Sequence, residues 1–321
     1  MDERSAMFAA ELPRVGVSEV GVSEVGENAG DAGRVRAAFR EECERLGEVL
    51  LTLDPVDLAR PTGCVPWTVA ELLAHVRTGA GRLADMLAAP APTGTLVDAA
   101  GYFGAAKFTP EVDAARIAAA RADAAGADAA RADTIRAEAA GTDAIRAEAA
   151  RSEAAGTDAV GTELARTGAA EVGVGRVGDE GTEISLGRAG PGDAYLGVGL
   201  RVDFDRAWRA ALAAVDAHPP DRVVRTRHGD AMTVTEFLRT RVVEVGVHGL
   251  DLAAALDRPP WLTGIASRVI ADLVTAGRTL PAELGWDRLT LIAKITGRTP
   301  CSPAEQAALA RVGLPLLAFG R

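Results

Sequence analysis

Histidine and carboxylate side chains at helical spacing are the residues of this sequence that could bind a metal ion. Glu244 and His248 stand four residues apart in the segment TRVVEVGVHGLDLAAAL. At that spacing both side chains project from one face of an α-helix, so a carboxylate oxygen and an imidazole nitrogen can meet one cation. A tight zinc site would need a third protein ligand, and a catalytic site would also need an open position.

Two further ionisable residues share this helix face. With 100° per residue, Arg241, Glu244, His248 and Asp251 fall within an arc of about 80°. Valine, leucine, alanine and glycine cover most of the remaining surface, which is typical of a buried helix. Because an unpaired carboxylate is too costly to bury, these side chains are expected to pair with one another or to bind metal.

The third ligand must come from the other histidines of the chain, which has four in all. His218 precedes two prolines at the expected end of a helix, where a C-capping role fits better than ligation. His228 lies in the polar loop RTRHGD. His75 lies within the apolar run LLAHV of another expected helix, which makes it the best third ligand.

The spacing alone leaves other roles open for these residues. His248 could be a core histidine paired with Glu244, and His75 could be a buried histidine with a hydrogen-bond partner. Arg241 and Asp251 could form a local ion pair on a buried helix.

Two T-x-x-E sequences, at residues 68–71 and 233–236, predict the starts of the helices that carry these residues. In such a sequence the threonine and the glutamate can each accept a hydrogen bond from a free N–H group of the first turn. We therefore predict helices over residues 69–88 and 234–256.

The rest of the ordered chain also has helical patterns. Apolar stripes predict helices over residues 35–53 and 204–215, and residues 262–280 also have the character of a helix. Ser302 and Pro303 predict the start of a last helix. Because convincing alternating strand patterns are absent, the predicted fold class is all-α.

Composition divides the chain into segments. Residues 1–32 contain the duplication VGVSEVGVSEVG and are expected to form a disordered tail. Residues 33–257 would form one helical domain, and residues 258–321 a short helical C-terminal region. Residues 112–190, with the repeats IRAEAA and AAGTDA, have almost no large apolar groups. We interpret them as a low-complexity surface insertion, helical or disordered, without chemistry of its own.

Charge and cysteine content restrict the function classes. A net charge of −10 and a pI of about 5.1 argue against a nucleic-acid partner. Neither a membrane span nor a signal peptide is evident, so a cytoplasmic protein is expected. Cys43, Cys64 and Cys301 form no CxxC pair. Cys64 could be an extra ligand or a reactive thiol, although its place in a Pro/Gly turn favours a structural role.

The segments PTGCVPWTVAELLAHV and TRVVEVGVHGLDLAAAL resemble the mycothiol-dependent maleylpyruvate isomerase family of DinB-like metalloproteins. The shared features are a Trp-Thr-Val start to a histidine-bearing helix, then E-x-x-x-H followed by Asp-Leu-Ala. The resemblance covers residues 33–111 and 200–257, without the mixed α/β second domain of the full isomerase. It implies a DinB-like four-helix bundle that holds zinc, or another divalent metal, by His75, Glu244 and His248.

The resemblance also implies that the thiol mycothiol reacts with a small electrophilic substrate. Zinc coordination deprotonates a thiol near neutral pH, so the proposed nucleophile is a metal-bound thiolate. The outcome could be transfer or isomerisation. Arg241 could pair with Glu244 or hold a substrate carboxylate, and Asp251 could orient the imidazole of His248.

Two other functions remain open at this stage. The metal could activate water, which would make the protein a hydrolase. Alternatively, the bundle could be a metal-stabilised binding module without catalysis. The residues that bind the thiol, the electrophilic substrate and the oligomeric state do not follow from the sequence.

Overall fold

The computed structural model of the chain describes residues 20–103, 111–112, 114–126, 191–314 and 316–317. Helices dominate these residues, and the only sheet among them has two strands. The all-α fold class is therefore confirmed. Most of the predicted insertion lies outside the described residues, and its described part, residues 112 and 114–126, is helical.

The elements follow one another along the chain with short connections, apart from the part that is not described. In order they are α1 (Val20–Leu50), α2 (Pro55–Ala59), α3 (Val69–Ala88), α4 (Ala99–Tyr102), α5 (Pro191–Asp216), β1 (Val223–Arg225), β2 (Ala231–Thr233), α6 (Val234–Ala255), α7 (Gly264–Thr275), a 3₁₀ turn (Ala282–Leu284), α8 (Arg288–Ile295) and α9 (Pro303–Arg311).

The four long helices form the predicted bundle. Helices α1 and α3 each pack against both α5 and α6, so the four helices make a closed ring around one core. Their apolar stripes meet inside this ring, because burying them removes a large apolar area from water. Side chains from all four helices are fully or almost fully buried there, among them Phe39, Leu46, Leu72, Leu83, Phe204, Trp208, Phe237 and Val242.

The helix starts agree with the predicted capping residues, with one correction. At α3 the Thr68 hydroxyl accepts from the Glu71 N–H, and the Glu71 carboxylate accepts from the Thr68 N–H at 2.8 Å. At α6 the Thr233 hydroxyl caps the helix, but the Glu236 carboxylate turns away and accepts from the Ala99 N–H at 2.8 Å. At α6 the prediction was therefore right for the threonine and wrong for the glutamate, whose carboxylate instead connects α6 to the start of α4.

A short hairpin on either side of the polar loop RTRHGD joins α5 to α6, although the sequence shows no convincing strand pattern. Strands β1 and β2 pair antiparallel, with Val224 opposite Met232, and both of these side chains are buried. Each strand has three residues, which is too short for an alternating pattern to be visible in the sequence.

Several helix boundaries differ from the predicted ones. Helix α1 begins at Val20 and α5 at Pro191, so both extend beyond the apolar stripes that predicted them. The reason is that such a stripe marks only the part of a helix that packs against a neighbour. Residues 20–32 of the predicted tail are thus helical, and residues 1–19 lie outside the described part.

The C-terminal helices cover one side of the bundle. Helix α7 packs against α1 and α6, and α8 packs against α6 and α7. Helix α9 has the predicted start, with Ser302 as N-cap and a capping box to Glu305. Helix α8 was not predicted, although Asp287 caps it. Among the described helices, none combines the length and the apolarity that crossing a bilayer requires.

Candidate metal centre

The three predicted ligands meet in the bundle core, where α3 faces α6. His75 Nε2 lies 2.6 Å from Glu244 Oε1, and His248 Nε2 lies 3.8 Å from the same oxygen. The two imidazole centroids are 5.4 Å apart and nearly perpendicular. One ligand atom from each residue lies within 4.8 Å of the others, so all three can reach one ion. Each side chain is only 13–15% exposed.

A glycine on α3 allows α6 to come this close. Gly79 lies one turn after His75, and a Cβ atom there would be 3.2 Å from Arg241 Nη1 and 3.4 Å from Glu244 Cγ. The first of these distances is tighter than ordinary packing and the second is at its short limit. A side chain at position 79 would therefore require the Arg241 side chain to shift slightly away from α3.

His75 has the properties of a ligand rather than of an ordinary buried histidine. Its Nε2 is buried and makes no hydrogen bond, although Glu244 Oε1 is so close. Burial lowers the pKa of His75, despite the opposing charge of Glu244, and this favours the neutral imidazole that a metal requires. A buried nitrogen that faces a carboxylate oxygen at 2.6 Å without hydrogen-bond alignment, beside a second imidazole, fits a divalent metal such as zinc.

Glu244 remains ionised in this environment. Burial would raise the pKa of its carboxyl, but the adjacent His75, whenever it is protonated, and the permanent charge of Arg241 outweigh that effect and hold the pKa well below its usual range. Arg241 Nη2 lies 3.9 Å from Glu244 Oε2. Arg241 is itself 4% exposed, and its guanidinium lies over the Phe237 ring, 4.8 Å from the centroid.

Asp251 contacts the other side of His248, as the helix spacing predicted. Its Oδ2 lies 2.9 Å from His248 Nδ1. Arg298 donates to both carboxylate oxygens, with Nε 3.0 Å from Oδ1 and Nη2 2.8 Å from Oδ2. Burial opposes ionisation, but the hydrogen bonds from His248 and Arg298 keep the pKa of Asp251 below its usual value. An ionised Asp251 can only accept, so His248 Nδ1 carries a proton, and in the neutral imidazole the lone pair is then on Nε2, which faces Glu244.

Cys64 belongs to this network as a hydrogen-bond donor. Its Sγ lies 3.1 Å from Asp251 Oδ2 and 3.9 Å from His248 Nδ1. The described residues contain a second possible metal-binding group, formed by these three. Burial and the charge of Asp251 raise the pKa of Cys64 to about 12, and Asp251 already binds Arg298. The first group is therefore the better metal site.

Two spaces border the site. A small cavity of about 30 Å³ lies next to His75 and Glu244, and Glu244 is the only carboxylate among its described lining residues. Its other charged walls are four arginines, namely Arg82, Arg116, Arg227 and Arg241. Behind Asp251, a cleft of about 770 Å³ is bordered by Cys64, Arg298 and the threonines of the segment between α8 and α9.

The remaining histidines are not among the converging ligands. His218 Nδ1 lies 2.8 Å from the Ala214 carbonyl oxygen, in agreement with the predicted capping role. His228 lines the small cavity and packs edge-on against Tyr102, with ring centroids 5.6 Å apart. Arg298 and the cavity arginines Arg82, Arg116 and Arg227 were not predicted from the sequence, because nothing next to them in the chain indicates which residues they contact.

Comparison with known protein families gives one match. The family model for the mycothiol maleylpyruvate isomerase N-terminal domain matches residues 39–179 and 187–253, which is more than half of the chain. The matched segments contain His75, Glu244, His248 and Asp251, whereas Arg298 lies beyond them. No curated protein and no solved structure matches the chain.

Proposed function

The chain belongs to the family of the mycothiol maleylpyruvate isomerase N-terminal domain, and on that premise we propose that it is a metal-dependent enzyme that activates a low-molecular-weight thiol. The metal is zinc or another divalent ion, held by His75, Glu244 and His248. The thiol is mycothiol, and the second substrate is a small electrophile.

One observation carries this proposal: His75 Nε2, Glu244 Oε1 and His248 Nε2 lie close together in the core, and the 2.6 Å contact of His75 Nε2 with Glu244 Oε1 lacks the alignment of a hydrogen bond. A core histidine with a structural role normally has a hydrogen-bond partner, because an unpaired buried polar atom costs about 1–3 kcal/mol. A metal ion would remove that cost and bind two imidazoles and a carboxylate in the combination typical of catalytic zinc.

The chemistry follows from the donor set. A zinc ion held by His75, Glu244 and His248 would keep an open position for a thiol and would lower the pKa of that thiol, so that the thiolate would form near neutral pH. The thiolate sulfur would attack an electrophilic carbon of the second substrate. Departure of a leaving group from that carbon would give transfer, whereas addition, bond rotation and expulsion of the same thiolate would give cis–trans isomerisation.

The surrounding residues would support this reaction in two ways. Asp251 holds the imidazole of His248 with Nε2 directed at the site. Arg241 and the other arginines of the small cavity favour negative charge beside Glu244, as on a thiolate or a substrate carboxylate. The cleft of about 770 Å³ has the volume of a small-molecule site and could hold the bulk of one substrate.

The test is thiol-dependent turnover by the zinc-loaded protein. Mycothiol is supplied with maleylpyruvate or with an alkylating electrophile, and both thiol consumption and product are followed. Glu244→Gln should abolish turnover, whereas Glu236→Gln should retain it, because that carboxylate on the same helix binds the Ala99 N–H.

The same assay separates the two other functions. Hydrolysis of the electrophile at equal rate without any thiol would replace this proposal with a water-activating enzyme. Tight zinc binding without turnover of any electrophile would indicate a metal-stabilised binding module.

A further inference from the structure

Trp67 lies beside the candidate metal site, and its indole N–H has no hydrogen-bond partner. It is 4% exposed, and its buried Nε1–H makes no hydrogen bond. Its ring centroid lies 4.7 Å from that of His75 and 6.4 Å from that of His248. The indole nitrogen is part of this ring, so a donor without a partner lies close to two of the three proposed ligands.

Hydrogen bonds hold the backbone around Trp67 and so fix the position from which its side chain extends. The Thr62 N–H and hydroxyl both donate to the Trp67 carbonyl oxygen, at 2.9 and 2.8 Å. The Trp67 N–H donates to the Cys64 carbonyl oxygen at 2.9 Å, and the next residue, Thr68, caps α3. The guanidinium of Arg116 lies over the ring, 5.9 Å from its centroid.

Two other tryptophans of the chain have a hydrogen-bond partner for the indole N–H. Trp208 donates to Asp205 at 2.9 Å, and Trp286 donates to Glu305 at 3.1 Å. A buried indole N–H without a hydrogen-bond partner reduces the stability of the folded protein, so each such group calls for an explanation. A ligand that binds at the site is one such explanation.

Trp261 provides a natural control. Its buried Nε1 is also unpaired, but it lies near Glu42 rather than near the three ligands. A Cβ atom at Gly249 would be 3.2 Å from Trp261 Nε1 and 3.8 Å from Glu42 Oε1, which is unpaired as well. A buried water molecule could satisfy both of these atoms, and no part of the proposed reaction involves them.

We propose that the Trp67 indole N–H donates a hydrogen bond to the acceptor atom of the ligand that completes the site of His75, Glu244 and His248. This inference rests on the proposed function. The ligand is a thiol bound as thiolate, or a small anion in its place. A hydrogen-bond donor stabilises a charged acceptor, such as a thiolate, more than it stabilises the neutral thiol. Trp67 would therefore both position the ligand and favour its deprotonation.

The experiment uses the full chain with ¹⁵N-labelled indole groups, loaded with zinc or left metal-free, and titrated with N-acetylcysteine and separately with azide. The chain has four tryptophans, so the indole signals are few, and Trp67→Phe and Trp261→Phe assign two of them. The expected result is a downfield shift of the Trp67 N–H proton when either probe binds the zinc-loaded protein. We expect no such shift without metal and none at Trp261.

Affinity gives a second measurement that does not depend on turnover. In the cobalt-loaded protein, the visible spectrum reports metal binding and the binding of either probe. Trp67→Phe retains an aromatic ring but loses the donor, and should weaken probe binding by about 10- to 100-fold, the usual value of a hydrogen bond to a charged group. Trp261→Phe should bind the probes as the wild type does.

The outcomes distinguish this inference from the proposed function. If the cobalt spectrum shows a bound probe while the Trp67 signal and the affinity of Trp67→Phe stay unchanged, the role of Trp67 is refuted and the metal site stands. If the wild-type protein gives no cobalt spectrum at all, there is no metal-bound ligand, and both proposals fail.

Discussion

Replacing Arg298 by methionine should destabilise the protein by about 3 kcal/mol, because it leaves a buried carboxylate without its cation. The side chains of Asp251 and Arg298 are 6% and 14% exposed, so solvent screens this pair little. Two parallel hydrogen bonds, of 3.0 and 2.8 Å, join them. Removing one partner of such a pair costs about 3–5 kcal/mol, and we expect the lower end because His248 and Cys64 still contact Asp251.

The assay is urea unfolding of the metal-free protein, followed by circular dichroism. The control is Arg311→Met, which removes another arginine–carboxylate pair of the C-terminal region. Arg311 and Glu283 are 60% and 57% exposed, and we expect no measurable change from that variant. Equal stability of Arg298→Met and Arg311→Met would refute the reasoning.

The contribution of the Asp251–Arg298 pair to the free energy of unfolding should depend on pH. The folded-state pKa of Asp251 is depressed, so its contribution to stability is fully present above the unfolded-state value of about 3.9 and is lost as the pH falls through the folded-state value. The stability difference between wild type and Arg298→Met should therefore be constant near pH 7 and shrink below about pH 4. A difference that grows on acidification would contradict an ionised Asp251.

Three further predictions concern positions around the site. Thr68→Ala removes the N-cap of α3 and should cost about 1 kcal/mol of unfolding free energy. Gly197→Ala should destabilise by about 1–3 kcal/mol, because its Cβ would meet backbone oxygens of the α1 end at 2.8–2.9 Å. Gly199→Ala, on the same helix but with open space around it, should instead stabilise by up to about 1 kcal/mol; equal effects of the two substitutions would argue against this packing. Cys64, with its pKa of about 12, should resist alkylation near pH 8 until the protein unfolds, and rapid labelling of the native protein would contradict its place in the network.

The parts of this structure that could be predicted from the sequence depend on local spacing. Glu244, His248 and Asp251 share a face because they lie on one helix, and the capping residues of α3 and α6 mark where those helices begin. The fold class followed from apolar periodicity alone. The approach of His75 to Glu244 needed the family resemblance, because spacing within one helix says nothing about which other helix packs against it.

The parts that could not be predicted depend on contacts between distant residues. Arg298 lies 47 positions after Asp251, and the sequence shows no reason for the two to meet. The unpaired N–H of Trp67 is likewise a property of the packed site, since any buried tryptophan would give the same sequence pattern. The hairpin was missed because three-residue strands carry no recognisable period.

The metal content of the purified full-length protein tests the central claim most directly. After incubation with zinc and removal of the excess, we expect about one ion per chain in the wild type and in His228→Ala, whose side chain lies outside the ligand group. His75→Ala and His248→Ala should each lose the ion. A wild-type protein without metal, or a His248→Ala variant that still holds it, would contradict the metal site and with it the proposed thiol chemistry.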